Sequence, residues 1–473
     1  VVTEYDAILT AMSPSRFLLF TEAMHCGTLQ EAWRVMEGEA HDAGDDARSE
    51  STVVKEHATF VIVGGGLAGA RAAQTLRSEG FTGRVILIGD ERDQPYERPP
   101  LSKGFLTGAA ERETLHVHAH SWYANHDVEL HLGQAVTHLD RAAKTVRLGD
   151  GTVIRYDKLL LTTGAEPRRL DVPGTGLAGV YHLRRIAHAE LLRGVLANLG
   201  RENGRLLIAG AGWIGLEVAA AARHYGAEVT VVEPQPTPLH GVVGPELGAF
   251  FADLHREHGV RFHFGTRLTE IVGQDGMVFS AVTADGEEHP AHAVLAALGA
   301  APRTALAEAA GLALATPEQG GGILVDSTLR TSDADVYAAG DVANAEHPLL
   351  GRHLRTEHWA NAHDGGPAAA RAMLGRNVRY DRVPYFFSDQ YDLGMEYSGH
   401  AAPGTYDQVV CRGDIAKRVF VAFWLRGDRV LAGMNVNVWD VADDIQDLVR
   451  RGVRVDPERL ADPDVPLSSA AVD

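Results

Sequence analysis

The sequence predicts an α/β fold with buried parallel sheets, followed by a strand-rich C-terminal module, on three observations. From Phe60 onward, apolar runs alternate with Ala-rich helical stretches, the pattern of βαβ units. Two glycine-rich turns, GGGLAG at 64–69 and GAGWIG at 210–215, each follow an apolar run and open a helical one. After about Val383 the texture becomes aromatic and alternating, as in VPYFFSDQYDLGMEYSGH and RVFVAFWLRGDRVLAGMNV. That suits antiparallel strands turning at Arg426-Gly427-Asp428.

Composition sets the outer limits. The 473 residues suffice for about three domains, and 45% hydrophobic content is that of a folded core. Mean hydropathy is -0.11, and no stretch approaches the roughly 20 apolar residues of a bilayer-spanning helix, so no membrane association is expected. A formal net charge of -19 repels phosphate backbones, so no nucleic-acid partner is expected either. Two cysteines, Cys26 and Cys411, are too few for a disulfide scaffold and point to a reducing cytoplasm.

In chain order, residues 1–57 stand apart: they hold 11 acidic against 4 basic residues and lack the basic or Arg-rich pattern of a targeting signal. They are expected to form an acidic appendage with one or two short helices and a polar linker. Strands follow at TFVIVG (59–64), RVILIGD (84–90), KLLLTTG (158–164), RLLIAG (205–210), EVTVVE (228–233) and HAVLAALG (292–299).

The first strand runs into Gly64-Gly65-Gly66-Leu67-Ala68-Gly69, then a helix, then a strand ending at Asp90. Physically, Gly64 permits a tight turn, Gly66 lets backbone amides approach a pyrophosphate, and Gly69 allows close helix–strand packing; the helix N-terminus adds partial positive charge. Asp90, or its neighbour Glu91, would accept from a ribose hydroxyl. The same arrangement recurs at Gly210, Gly212, Trp213, Ile214 and Gly215, with the next strand ending at Glu233. Two Rossmann-like dinucleotide-binding domains in one chain imply electron passage between two dinucleotides. Glu233 would bond a 2′,3′-diol and repel a 2′-phosphate, and the following PQPTPLHGVVG offers no Arg or Lys, so NADH is favoured over NADPH.

Further motifs complete a pattern: RPPLSK at 98–103, GAGWIGLE at 210–217, TSDADVYAAGDVAN at 331–344 and RTEHWANA at 355–362. On these and GGGLAG, the chain from about 58 to 460 resembles the FAD-dependent pyridine nucleotide oxidoreductases of the glutathione-reductase fold. Within them it is similar to the ferredoxin reductases and to bacterial relatives of apoptosis-inducing factor. The resemblance implies an FAD-binding domain over 58–178 and 302–382, an NAD-binding domain over 179–301, and a C-terminal α+β domain over 383–473. FAD is implied on the first fingerprint, with Leu67 and Ala68 in its turn, and NADH on the second, with Gly299 beside it. Asp341, after Gly340, is implied to bond the ribityl chain. Thr163 and Gly164 are implied to line the FAD domain, Val136 to contact adenine, and Arg184 to lie near the domain junction; Arg98 belongs to the same cofactor-binding set.

Lys is rare here, 5 of the 44 basic residues, so Lys103 stands out. The resemblance implies that Lys103 lies beside the flavin and pairs with Glu217, both in catalytic roles; the alternative is a buried salt bridge that only holds two domains together. Glu357, His358 and Trp359 open a helix whose N-terminus the resemblance aims at the pyrimidine edge of the flavin, where its dipole would stabilise negative charge.

Absences also shape the expectation. The stretch 91–110 has no cysteine, so a thiol relay is excluded and electrons leave directly from the flavin, which favours a one-electron protein acceptor. His116, His118 and His120 lack a carboxylate at ligand spacing, and no metal is assigned. The Arg pairs 168/169, 184/185 and 450/451 are candidates for a local basic patch facing an acidic ferredoxin, with a solvated face as the preferred reading of each. The expected function is electron transfer from NADH through FAD to a ferredoxin-type iron–sulfur protein. The alternatives are an apoptosis-inducing-factor-like NADH oxidase and a redox-sensing flavoprotein; a homodimer is left open.

Overall fold

The computed structural model describes residues 58–472, so the acidic segment 1–57, Cys26 included, lies outside the described residues. The chain first forms β1 (Thr59–Val63), helix α1 (Leu67–Ser78), β2 (Arg84–Gly89), β3 (Val128–Leu132) and β4 (Lys158–Leu161). All their pairings are parallel, with Val61 opposite Ile86 on one side and Leu159 on the other. The strand TFVIV is apolar on both faces because helices and loops cover both; Phe60, Val61 and Ile62 are at most 1% exposed. A small antiparallel sheet, Val136–Asp140 with Thr145–Leu148 and Val153–Arg155, is inserted between β3 and β4.

A second parallel sheet follows. Its elements are β5 (Val180–Tyr181), α2 (Ile186–Arg201), β6 (Arg205–Ala209), α3 (Trp213–Tyr225), β7 (Glu228–Glu233), α4 (His240–Glu257) and β8 (Val260–Phe264). An antiparallel excursion of β9 (Leu268–Gln274), β10 (Met277–Thr283) and β11 (Glu288–Pro290) precedes β12 (Ala293–Ala296), giving the sheet order β8-β7-β6-β12-β5. The chain then returns to the first sheet, where β13 (Val336–Ala338) pairs parallel with β4 to give β13-β4-β1-β2-β3. Helix α5 (Trp359–Met373) crosses α1 so closely that a Cβ on Gly366 would stand 2.2 Å from the Ala68 carbonyl oxygen.

The C-terminal sheet is antiparallel, in order β14 (Tyr385–Gln390), β15 (Leu393–Gly399), β18 (Arg429–Val436), β17 (Val419–Arg426) and β16 (Gln408–Asp414), with helix α6 (Ala442–Arg451) against it. Trp424, fully buried on β17, donates its indole N–H to the Val243 carbonyl of α4 at 3.2 Å. One continuous apolar cluster joins α2, α3 and α4 to this sheet, so the second parallel sheet and the C-terminal module share a core. The α/β class with a strand-rich C-terminal module is as the sequence predicts.

Candidate functional site

The two glycine turns are built alike, and their glycines serve different ends. At Gly64 (φ +129°) a Cβ would stand 2.1 Å from the Thr162 carbonyl oxygen, and at Gly69 2.2 Å from the Gly64 carbonyl oxygen. At Gly210 (φ +102°) the corresponding atom is the Ala297 carbonyl oxygen at 2.4 Å, and at Gly215 the Gly210 carbonyl oxygen at 2.2 Å. Backbone packing therefore forces the first and third glycines. A Cβ on Gly66 or Gly212 would meet nothing within 4 Å. These two residues are the N-caps of α1 and α3, and no side chain caps either helix. Uncapped amide donors beside a residue kept small for no internal reason fit a phosphate group at each turn. Leu67, Ala68 and Ile214 lie in the first turns of these helices, Leu67 and Ala68 buried and Ile214 exposed.

The acids that end the second strand of each unit are held in place. Asp90 Oδ2 takes Arg185 at 2.9 Å and Arg303 at 3.1 Å, and these two cations hold its carboxyl below the usual range against the opposing effect of burial, the largest single influence. Both oxygens of Glu91 are engaged, one by Arg98 at 2.9 Å and the other by the Tyr96 hydroxyl at 2.7 Å. Glu233 accepts from the amides of Ala211 at 2.7 Å and Gln235 at 3.0 Å, which locks the strand end to the second glycine turn.

From Asp90 a polar rim runs on. Arg303 donates its amide to the Gly164 carbonyl at 2.9 Å and accepts the Thr163 hydroxyl at 2.9 Å; Gly164 itself has φ +69°. Arg184 pairs with Asp341 at 2.8 Å, and Arg98 donates to the Arg184 carbonyl at 2.5 Å. The pair 184/185 is therefore no purely solvated face: each guanidinium pairs with an acid of the first parallel unit, Arg184 with Asp341 and Arg185 with Asp90. Gly340, at φ +74°, brings Asp341 against the first turn, where a Cβ would come within 3.2 Å of that of Ala68. Val136 sits half-buried at the start of the inserted sheet opposite Leu148, and Gly299 turns at φ +82° just beyond β12.

Three parts of the chain meet at Glu217. Lys103, from the loop after the RPPLS turn, places Nζ 2.7 Å from Glu217 Oε1 on α3; the side chains are 15% and 3% exposed. Ser102 donates its hydroxyl to Oε2, and Ser388 on β14 donates to Oε1 at 2.7 Å. Ser388 in turn accepts from Gln390 at 3.1 Å, whose Oε1 lies 2.8 Å from His255 Nε2; His255 Nδ1 faces the Tyr391 hydroxyl at 3.0 Å. A hydrogen-bonded line thus runs from Lys103 through the core to Tyr391. Burial pushes the Asp389 carboxyl up, with Lys103 drawing it down and Glu217 pushing it further up. A cavity of about 500 Å³ borders the pair, lined by Lys103, Glu217, His224, His258, Asp389 and Tyr391.

The start of α5 reaches the same junction. The Trp359 indole donates to Glu97, whose carboxyl burial holds above its usual range. The Phe387 ring lies 6.3 Å from that of Trp359 and 5.6 Å from Lys103 Nζ, bridging the two. The His358 ring packs 4.6 Å from Phe386; its Nδ1 is buried without a partner, and burial lowers its pKa to about 4. Glu357 is exposed and holds Arg355 at 2.5 Å. Trp213 turns its ring into an aromatic cluster with Phe251 at 5.5 Å and Phe386 at 5.0 Å, so only its backbone belongs to the second turn.

Sequence reasoning missed Ser388, Gln390, His255 and Tyr391, which carry no motif, and Glu97, Arg185 and Arg303, which read as ordinary surface charges. Ser102 had a signal, its place beside Lys103 in RPPLSK.

The profile of the family "Pyridine nucleotide-disulphide oxidoreductase" matches residues 58–366, and "Reductase C-terminal" matches 385–471. Rhodocoxin reductase of Rhodococcus erythropolis is 37% identical over 412 residues, 87% of this chain and 94% of that protein. Putidaredoxin reductase of Pseudomonas putida is 36% identical over 412 residues, 86% of this chain and 95% of that one. Among solved structures, the covalent putidaredoxin reductase–putidaredoxin complex superposes with TM-score 0.82 at 35% identity, over 87% of this chain and 97% of that one. A ferredoxin reductase from Rhodopseudomonas palustris gives 0.83 at 36%, over 88% and 100%. Paired glycine cradles, the acid closing the second, the ion pair between them and these likenesses agree: the chain belongs to the pyridine nucleotide-disulphide oxidoreductase family, alongside its ferredoxin reductases.

Proposed function

We propose that this protein carries electrons from NADH, through FAD, to a ferredoxin-type iron–sulfur protein. The observation that carries the reading is the pair of open cradles at Gly66 and Gly212, joined by a buried Lys103–Glu217 pair in a chain whose 91–110 stretch has no cysteine. Its relatives' names point to the acceptor: ferredoxin reductase components of oxygenase systems, rhodocoxin reductase and putidaredoxin reductase. FAD, when bound, supplies a ring that accepts a hydride and releases electrons one at a time.

The chain's own residues do the rest. The cradle at Gly64–Gly69 holds the FAD pyrophosphate and the one at Gly210–Gly215 that of NADH, each by backbone amides. Glu233 selects the nicotinamide, because its fixed carboxylate can accept from ribose hydroxyls and opposes a 2′-phosphate. Lys103 keeps a compact positive charge at the junction, and Glu217, held by Ser102 and Ser388, keeps that ammonium from swinging away. Trp359, fixed by Glu97 and linked to Lys103 through the Phe387 ring, walls the same junction. Purified protein should be yellow, reduce a [2Fe–2S] ferredoxin with NADH, and do so at least tenfold less efficiently with NADPH. Colourless protein that takes up no FAD, or equal use of both nucleotides, would contradict the assignments.

A further inference from the structure

Away from the electron-transfer site, at the outer edge of the second parallel sheet, three side chains from two sequence regions converge. His263 stands on β8, the edge strand, and because Phe262 and Phe264 stack on one face at 5.0 Å, His263 takes the other. Glu287 and His289, two apart at the β10–β11 turn, point the same way to meet it. His263 Nδ1 lies 3.5 Å from Glu287 Oε2, and His289 Nδ1 lies 3.9 Å from Glu287 Oε1; the imidazole centroids are 4.2 Å apart. Among the described residues this is the one group of three or more such side chains whose ligand atoms lie within 4.8 Å of one another.

Thr283 fixes which nitrogen of His289 is available. The buried Thr283 hydroxyl has one proton, and its alternatives are the Asp285 carboxylate at 2.5 Å and the Glu287 carbonyl at 3.0 Å, both pure acceptors. Towards His289 Nε2, at 3.4 Å, the hydroxyl is then free to accept, an arrangement that suits the tautomer with its proton on Nε2. Nδ1 is left with a bare lone pair facing a carboxylate oxygen. In that tautomer the lone pair and the carboxylate oxygen, 3.9 Å apart, are placed to share a cation. A metal-bound imidazole ordinarily donates its other ring N–H to an outer acceptor, and the Thr283 hydroxyl oxygen stands where His289 Nε2 would find one.

We propose that His263, Glu287 and His289 form a binding site for a divalent first-row metal of the zinc class. Two imidazoles and one carboxylate match that metal's donor preference, and with bonds of about 2.0–2.1 Å the ligand atoms of a tetrahedral site lie roughly 3.3 Å apart. The 3.5 and 3.9 Å run to different oxygens of Glu287; one donor atom from each of the three residues lies within 4.8 Å of the other two, so closing a tetrahedral site takes a contraction of about 1.5 Å at most. Glu287, with its side chain 56% exposed, leaves the fourth position open to water and gives the ion its way in. Because β8 pairs with β7, where Phe264 stands opposite Glu233, the metal would pin the edge strand beside the proposed nicotinamide-selecting acid. The sequence carries no signal of this, since 23 residues separate His263 from Glu287.

The test is calorimetric titration of untagged, chelator-treated holoenzyme with zinc chloride, on the wild type and on His263→Gln and Thr283→Val, with melting followed in parallel. We expect one zinc per chain at micromolar or lower Kd and a raised Tm. His263→Gln should bind at least tenfold more weakly, and Thr283→Val about tenfold more weakly, with flavin content and NADH turnover in the absence of added metal unchanged in His263→Gln. No saturable heat in the wild type, or affinity undiminished in His263→Gln, would overturn the site.

Discussion

Glu217 buries a carboxylate on three donors, Lys103, Ser102 and Ser388, that come from two other parts of the chain. A buried ion pair is weak evidence of stabilisation, since desolvation offsets much of the attraction, while removing one partner is destabilising by about 3–5 kcal/mol. We propose that the pair serves what Lys103 does at the junction rather than stability. Lys103→Met should therefore retain FAD yet slow flavin reduction by NADH roughly tenfold or more, about 1.4 kcal/mol or above on the barrier, read by anaerobic stopped flow. An unchanged rate would leave the pair a domain tie only. Glu233→Gln removes the repulsive charge, so its ratio of kcat/KM for NADH over NADPH should fall by several fold; an unaltered ratio would place nucleotide selection elsewhere. Lys103 and Glu217 were legible because each belongs to a motif. Ser388 was not, because its partner is 171 residues away and a serine in an alternating strand carries no signal of its own.

At the scale of elements, each glycine turn holds two positions that the backbone demands and one that it does not. Gly212→Ala should fold with little loss of Tm and show a raised KM for NADH, because its Cβ enters the space proposed for the phosphates. Gly215→Ala, whose Cβ would press on the Gly210 carbonyl oxygen at 2.2 Å, should instead lower Tm and expression. Equal effects of the two on stability would contradict this division of labour. Six of the parallel strands were legible because each carries a mostly apolar, mostly buried run: the reading 59–64 meets Thr59–Val63, and 228–233 meets Glu228–Glu233, whereas Val260–Phe264, part-exposed as VRFHF, was passed over. The strand Val128–Leu132 and the small antiparallel sheets were passed over, since sequences such as VELHL and VTHLD are part-exposed and mix polar with apolar residues. The crossing of α1 by α5 was equally hidden: Gly366 resembles any helical glycine until the Ala68 carbonyl is seen against it.

On the scale of the whole molecule, the C-terminal sheet and the second parallel unit share their core, and a buried histidine sits in that seam. His255 is fully buried between Gln390 and Tyr391, and burial lowers its pKa from 6.5 to about 4. The unfolded chain therefore binds a proton that the folded chain refuses, so stability is complete above pH 6.5 and falls as the pH drops from 6.5 towards 4. At about 1.4 kcal/mol per pH unit, this one group contributes roughly 3 kcal/mol at most to acid lability. Melting curves of the holoenzyme between pH 7.5 and 4.5 should show the decline, with a shallower slope in His255→Gln; identical slopes would assign the acid lability to other groups. As proposed, two dinucleotides exchange electrons inside one chain and a one-electron carrier takes them away. Anaerobic mixing of the holoenzyme with one equivalent of NADH and an excess of oxidised [2Fe–2S] ferredoxin tests this most directly. Two ferredoxins should be reduced per NADH, with the flavin returned to its oxidised spectrum. A flavin that stays reduced while the ferredoxin remains oxidised would contradict it.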